Sequence, residues 1–181
     1  MRRHSSVEPR RVIFIGVEGE SERAFVRFLE RCCRDEDLHL SVNIKLTRGG
    51  DSVAVVEEAG RHLARRAART EIESRLVLLD RDRIEGDRKA GRDAQTVAAK
   101  WDLQLVHQCP QHEGLLWRLH PGQEQRQVKA RIALTELRRV WPEYSKPATA
   151  DELRRRFSLS DLRRAARYDK ELRRLLAVLG L

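Results

Sequence analysis

Three observations predict an α/β protein with a mostly parallel, four-stranded sheet flanked by helices. Short β-branched apolar runs alternate with helix-period segments through the first 107 residues, as repeated strand–helix–strand units do. Beyond them the apolar spacing is helical only. The clearest strand-like runs end in acidic turns, where open α/β sheets place their sites.

Arg11-Val12-Ile13-Phe14-Ile15-Gly16-Val17 is a continuous apolar run and reads as a buried strand. Ser21 is then a suitable N-cap for a helix over 22–35, with Phe25, Phe28, Leu29 and Cys32 on one face. Residues 38–46 alternate and predict a second strand; Arg48-Gly49-Gly50-Asp51-Ser52 predicts a turn, and 53–69 a helix. Arg75-Leu76-Val77-Leu78-Leu79 predicts the third strand, leading directly into Asp80-Arg81-Asp82-Arg83. A short helix over 87–100, a fourth strand over 103–107 and a short buried helix over 112–119 follow. A longer helix is expected over 124–140, stopped by Trp141-Pro142. Residues 144–149 read as a loop and 150–180 as two or three short helices with Leu153, Phe157, Leu162, Leu172, Leu175, Leu176 and Leu179 inward.

This gives a flexible basic lead-in (1–10), a core (11–120) and a helical C-terminal extension of the same domain (121–181). At 181 residues the chain can bury a core without disulfides or a structural metal. No apolar run approaches the ~20 residues a bilayer span needs. Cys32, Cys33 and Cys109 form no disulfide framework, which points to a reducing cytoplasm.

The formal charge is +9, with 31 Arg and 6 Lys. It is segregated: residues 1–120 carry 22 basic and 20 acidic groups, residues 121–181 carry 15 and 8. A positive field favours a polyanion such as nucleic acid, DNA or RNA, met by the basic C-terminal helices. Base composition alone also enriches arginine and alanine. Arg154-Arg155-Arg156 and Arg163-Arg164 read either as solvated helix surface, as phosphate contacts or as a dock for an acidic protein.

Glu18 ends the first strand and Asp80 the third. Residues i and i+2 of extended chain share a side, so Asp82 is expected to converge with Asp80. Glu22 lies one helical turn beyond Glu18, and Glu113 follows the fourth strand. Clustered carboxylates repel unless a cation resolves them, and all-oxygen ligation suits Mg²⁺ or Mn²⁺. Ion pairs with Arg81 and Arg83 are the plainer alternative.

Val17-Glu18-Gly19-Glu20-Ser21-Glu22 followed by Leu78-Leu79-Asp80-Arg81-Asp82 resembles a Toprim domain, and within that class the RloB-like proteins. Cys109-Pro110-Gln111-His112-Glu113-Gly114-Leu115-Leu116-Trp117 and Tyr144-Ser145-Lys146 are similar to their later motifs, although the tryptophan lies further from Glu113 than in that pattern. The resemblance runs from about residue 11 to 150. It implies a Toprim-like fold and Mg²⁺- or Mn²⁺-dependent phosphodiester hydrolysis, with Glu18, Asp80 and Asp82 at the metal. It makes Glu22 and Glu113 secondary acidic groups and Lys146 a phosphate or transition-state contact. It also implies phage defence or restriction beside a partner ATPase encoded nearby, and leaves room for a homodimer. A water nucleophile is favoured over Tyr144, which reads as a packing or binding residue.

Two other readings stand beside this one. In the first, the chain is a non-enzymatic Toprim-like subunit that binds nucleic acid or protein. In the second, it is a phosphatase of small phosphoesters. The glycine-containing turn lacks a P-loop ending, so Asp51 or Ser52 reads as a helix cap. His107, His112 and His120 near Cys109 match no zinc spacing; His112 or His120 is also placed to touch substrate. Cys32 reads as core.

Overall fold

A computed structural model of the chain describes residues 10–47 and 49–181. Most of the lead-in and Arg48 of the turn lie outside these residues; Arg10 Nε donates to the Leu40 carbonyl at 2.9 Å.

The strands are β1 (Arg11–Val17), β2 (Leu40–Leu46), β3 (Ser74–Asp80) and β4 (Gln104–Gln108). They form one sheet in the order β2-β1-β3-β4, every pair parallel. The chain passes from β1 to β2 on one side and then returns across β1 to β3 on the other. The strand order therefore switches direction between β1 and β3. Helices cover both faces, a Rossmann-like α/β arrangement. No helix among the described residues is long and apolar enough to cross a membrane.

Alternation along the strands divides the core. Ile13, Ile15, Val17, Leu76 and Leu78 face one way, against α1 (Glu20–Asp35) and the helices that follow β4. These are α5 (His112–Arg118), α6 (Ala130–Val140), α7 (Ala150–Arg156), α8 (Leu159–Ala166) and α9 (Lys170–Leu179). Phe14, Val77 and Leu79 face the other way, against α2 (Ser52–Ala67) and α4 (Ala94–Lys100). On that second face the helices lie very close. A Cβ on Gly60 would fall 2.3 Å from the Trp101 ring, so the indole rests on the α2 backbone.

The helices differ from expectation mainly at their starts. α1 begins at Glu20 with Gly19 as N-cap, and Ser21 is buried in its first turn rather than capping it. α2 agrees with expectation: of its two candidate caps it uses Asp51, which accepts from Ala54 N–H at 2.8 Å. The helix expected over 87–100 is two: α3 (Arg81–Lys89) starts directly after β3, and α4 follows a break. α6 starts at Ala130 because residues 121–129 turn through Gly122 (φ 82°) and bury little besides Val128.

The basic helices α7, α8 and α9 pack on the α1 side of the sheet. All seven apolar residues expected to face inward are buried there, each contributing about 2 kcal/mol before entropy. Capping boxes start α7 (Thr149, Glu152) and α8 (Ser158, Asp161). Ion pairs tie them back: Arg154 to Asp35 at 3.0 Å, Arg163 to Glu36 at 3.2 Å, and Arg164 to Glu124. Arg118 and Asp169 form a buried pair at 2.5 Å.

A carboxylate cluster at the strand switch point

Period-two alternation decides where the two strand-end acids point. Asp80 shares parity with Leu76 and Leu78, so it turns toward α1 and α5. Glu18 shares parity with Phe14 and Gly16, so it turns away. The side-chain partners agree. Asp80 Oδ1 accepts from the His112 N–H at 2.9 Å, whereas Glu18 pairs with Arg83 of α3.

Five of the six residues expected at the site come together around Asp80. Glu22 reaches it from the first turn of α1, Glu113 from the first turn of α5, and Lys146 from the loop before α7. Asp82 is near enough to repel Asp80, but not for the reason expected. The chain is not extended there: Asp80 is the N-cap of α3 and Asp82 lies in its first turn. The Asp82 N–H donates to the Pro110 carbonyl at 3.1 Å, and its exposed side chain accepts from Arg83 N–H at 2.8 Å. Glu18 is the sixth residue and stands against a cation instead of among the acids.

Burial pushes the Asp80 carboxyl up to about 7, helped by the charges of Glu22, Asp82 and Glu113; the His112 N–H opposes this. Glu113 behaves differently. Burial would raise it, but Lys146 Nζ at 2.6 Å outweighs burial and holds it below the usual carboxylate range. Lys146 is raised in turn, because Glu113 outweighs its own desolvation. Its side chain is 55 % exposed, so it links the buried acid to solvent.

Residues absent from the expected acidic set complete the wall. Burial holds His112 neutral despite Glu22, whose Oε1 lies 4.0 Å from Nδ1. Its ring meets Phe25 edge-on at 5.8 Å and Gln108 Nε2 at 2.9 Å. Tyr144 packs on Trp141 at 5.1 Å, as a packing residue does, yet its buried hydroxyl and Gln108 Oε1 have no hydrogen-bond partner. Burial and the charges of Glu113 and Glu22 push the Tyr144 phenol upward. The position of His112 one residue before Glu113 was the available sequence signal; nothing local marks Gln108.

Gly114 lets this wall form. A Cβ there would lie 2.5 Å from Pro110 Cδ and 3.0 Å from the Cys109 carbonyl, so α5 packs directly on the turn that follows β4. The three histidines go to separate surroundings. His107 is half-buried beside Glu171, and His120 is buried against Phe157 and accepts from Arg156 Nε at 3.1 Å. Cys32 is buried in the core.

Chemically, the cluster offers carboxylate oxygens and two unpartnered neutral oxygens, with Lys146 as a cation acting on Asp80, Glu22 and Glu113 together. That donor set fits a hard divalent cation. Among the described residues, however, no group of three or more His, Cys, Asp or Glu side chains is arranged to hold a metal ion as it stands. Comparison of the chain with protein-family models, curated proteins and solved structures finds no match.

Proposed function

We propose that the chain is a Toprim-type nuclease that hydrolyses nucleic-acid phosphodiesters with Mg²⁺ or Mn²⁺. The observation that carries this reading is the crowding of Glu22, Asp82 and Glu113 around Asp80 at the point where the strand order switches. A buried carboxylate crowded by other acids is one that a bound hard cation would stabilise. The Toprim resemblance of the Glu18–Glu22 and Asp80–Asp82 segments supports the same assignment. By that resemblance, the protein acts in phage defence or restriction beside a partner ATPase, and its cysteine usage suits the cytoplasm.

Asp80, Asp82 and Glu22 hold the ion in this reading. When bound, the ion supplies an activated water and neutralises charge on the phosphoryl oxygens. Lys146 stays charged, because Glu113 fixes it, and faces the negative charge that develops on the phosphate. Glu113 is thus a positioning residue for Lys146. Glu18, turned away and paired with Arg83, lies outside this set of ligands.

The test is cleavage of plasmid, linear duplex, single-stranded DNA, mixed RNA and tRNA with Mg²⁺ or Mn²⁺. Asp80→Asn lowers the rate by about 100-fold or more while leaving the fold intact. Its stability without divalent ions equals or exceeds that of the wild type, because repulsion is relieved and Asn still accepts from His112 N–H. Cleavage that survives the substitution overturns the assignment.

A specific observation favours a second reading, a non-enzymatic Toprim-like binding subunit. Glu18 is neutralised by Arg83, and no three-ligand set is preformed among the described residues. That reading predicts nucleic-acid binding with neither cleavage nor calorimetric uptake of Mg²⁺ or Mn²⁺.

A further inference from the structure

The arginine-rich helices α7, α8 and α9 are the obvious polyanion surface, yet many of their guanidinium groups hold the fold together. Arg154 and Arg163 reach Asp35 and Glu36 at the end of α1. Arg164 reaches Glu124 and the Leu119 carbonyl. Arg156 donates to His120 and the Val140 carbonyl, and Arg173 to the carbonyls of Ala166 and Arg167. Recruiting these groups to phosphate would loosen the helices from the sheet.

A groove of about 420 Å³ lies elsewhere, between α1 and the segment that enters α7. Glu20, Arg23 and Arg27 line one side; Pro147, Ala148 and Ala150 line the other. Each wall continues from a residue of the carboxylate cluster: Arg23 follows Glu22, and Pro147 follows Lys146. Arg23 and Arg27 are one helical turn apart on the outer face of α1, opposite the buried Glu22, Phe25 and Val26. Their side chains are 48 % and 55 % exposed, and among the described residues their ion pairs lie within α1, with Glu20 at 2.6 Å and Glu30 at 3.0 Å. Exposed pairs of this spacing are weak, so a phosphate displaces the carboxylate at little cost and without disturbing tertiary structure.

We propose that this groove is the track for the substrate strand, with Arg23 and Arg27 on consecutive phosphates and the alanine–proline wall against a sugar or base. The assignment rests on the nucleic-acid reading above. It places the strand so that Lys146 meets the next phosphate beside Asp80. The volume suits about one nucleotide unit.

The experiment is fluorescence anisotropy of a labelled, mixed-sequence single-stranded oligonucleotide of about 15 nucleotides, as DNA and as RNA, in EDTA across a salt series. Wild type binds at low salt. Arg23→Gln/Arg27→Gln binds at least tenfold more weakly, and its salt slope falls by about 1.4 in log units, two phosphate contacts at ~0.7 each. Arg155→Gln/Arg167→Gln, exposed on the C-terminal helices, binds like wild type. Circular dichroism checks that both variants are folded. Wild-type affinity and slope in the groove variant overturn the track. If the loss appears in the Arg155/Arg167 variant instead, the track fails while nucleic-acid binding stands. Wild type that binds neither oligonucleotide overturns the track and the nucleic-acid reading together.

Discussion

The two faces of the sheet are unequal. Among the described residues, the layer of α1 and α5–α9 contains 33 of the buried apolar core residues, and the layer of α2 and α4 contains 12. The thick layer also brings Glu22, His112, Glu113, Tyr144 and Lys146 toward Asp80. The thin layer brings none of them; within it, the Trp101 ring packs directly on Gly60 of α2. Helix α3, at the end of β3, carries Arg83 to Glu18 on that same side. The groups of the candidate site that gather at Asp80 therefore come mainly from one face. The C-terminal helices do more than decorate a nucleotide-fold core, because their packing seats α5 and the Lys146 loop.

The largest effects break the comparison by inserting one methyl group on each face. Gly60→Ala drives a Cβ into the Trp101 ring, and Gly114→Ala drives one into Pro110; each costs about 3 kcal/mol in urea unfolding. Protein that remains folded then separates the faces. Gly60→Ala retains the proposed nuclease activity per folded molecule. Gly114→Ala loses it, since α5 carries both Glu113 and the His112 N–H that holds Asp80. Equal activity in the two folded variants would erase the distinction.

The Glu113–Lys146 pair gives a smaller, directional effect. Lys146→Met strands a carboxylate that is 2 % exposed and destabilises by about 2–3 kcal/mol. Glu113→Gln costs about 1 kcal/mol or less, because the freed ammonium already reaches water. Matched costs in a denaturant titration would mean that Glu113 is better solvated than its burial indicates.

The smallest effect sharpens the description of the thin layer. Burial would raise Asp87, but the Ser52 N–H at 2.7 Å and Arg92 at 2.8 Å outweigh it and hold the carboxyl down at about 2. Its folded value lies below its unfolded one. The stabilisation is therefore fully present above pH ~4 and is lost as pH falls toward 2, up to about 2 kcal/mol. Asp87→Asn removes that portion of the acid sensitivity. An unchanged acid limb in the variant would assign the loss to other carboxylates.

Much of the strand framework was legible because buried parallel strands write continuous apolar runs. Arg11–Val17 and Leu76–Leu79 could hardly be anything else. Helix starts were less legible. Ser21 has the chemistry of a cap, yet Gly19 takes that place because α1 begins two residues earlier and needs Ser21 inside its first turn. Asp80-Arg81-Asp82 was read as extended because the preceding strand is so clear. The polar residues after it carry no apolar period, and α3 buries only Asp87, so the helix left little pattern to detect. The five acids were identifiable at or after strand ends, whereas Lys146 followed only from the family resemblance. Parity within β1 and β3 already contained the separation of Glu18 from Asp80. Gln108 was invisible, since its role depends on meeting His112 across a turn.

By itself the sequence determined the strands, their parallel alternation with helices, the inward faces of the C-terminal helices and the acidic character of two strand ends. These follow from local periodicity, which neighbouring residues write directly. Only the tertiary structure decided which acids meet. Glu22, Glu113 and Lys146 arrive at Asp80 from three segments separated by tens of residues. Glu18, equally acidic and closer in sequence to Glu22, is taken by Arg83. Charge is carried by the residue, but repulsion, pairing and burial depend on distance through space, which the folded sheet and its helical layers impose.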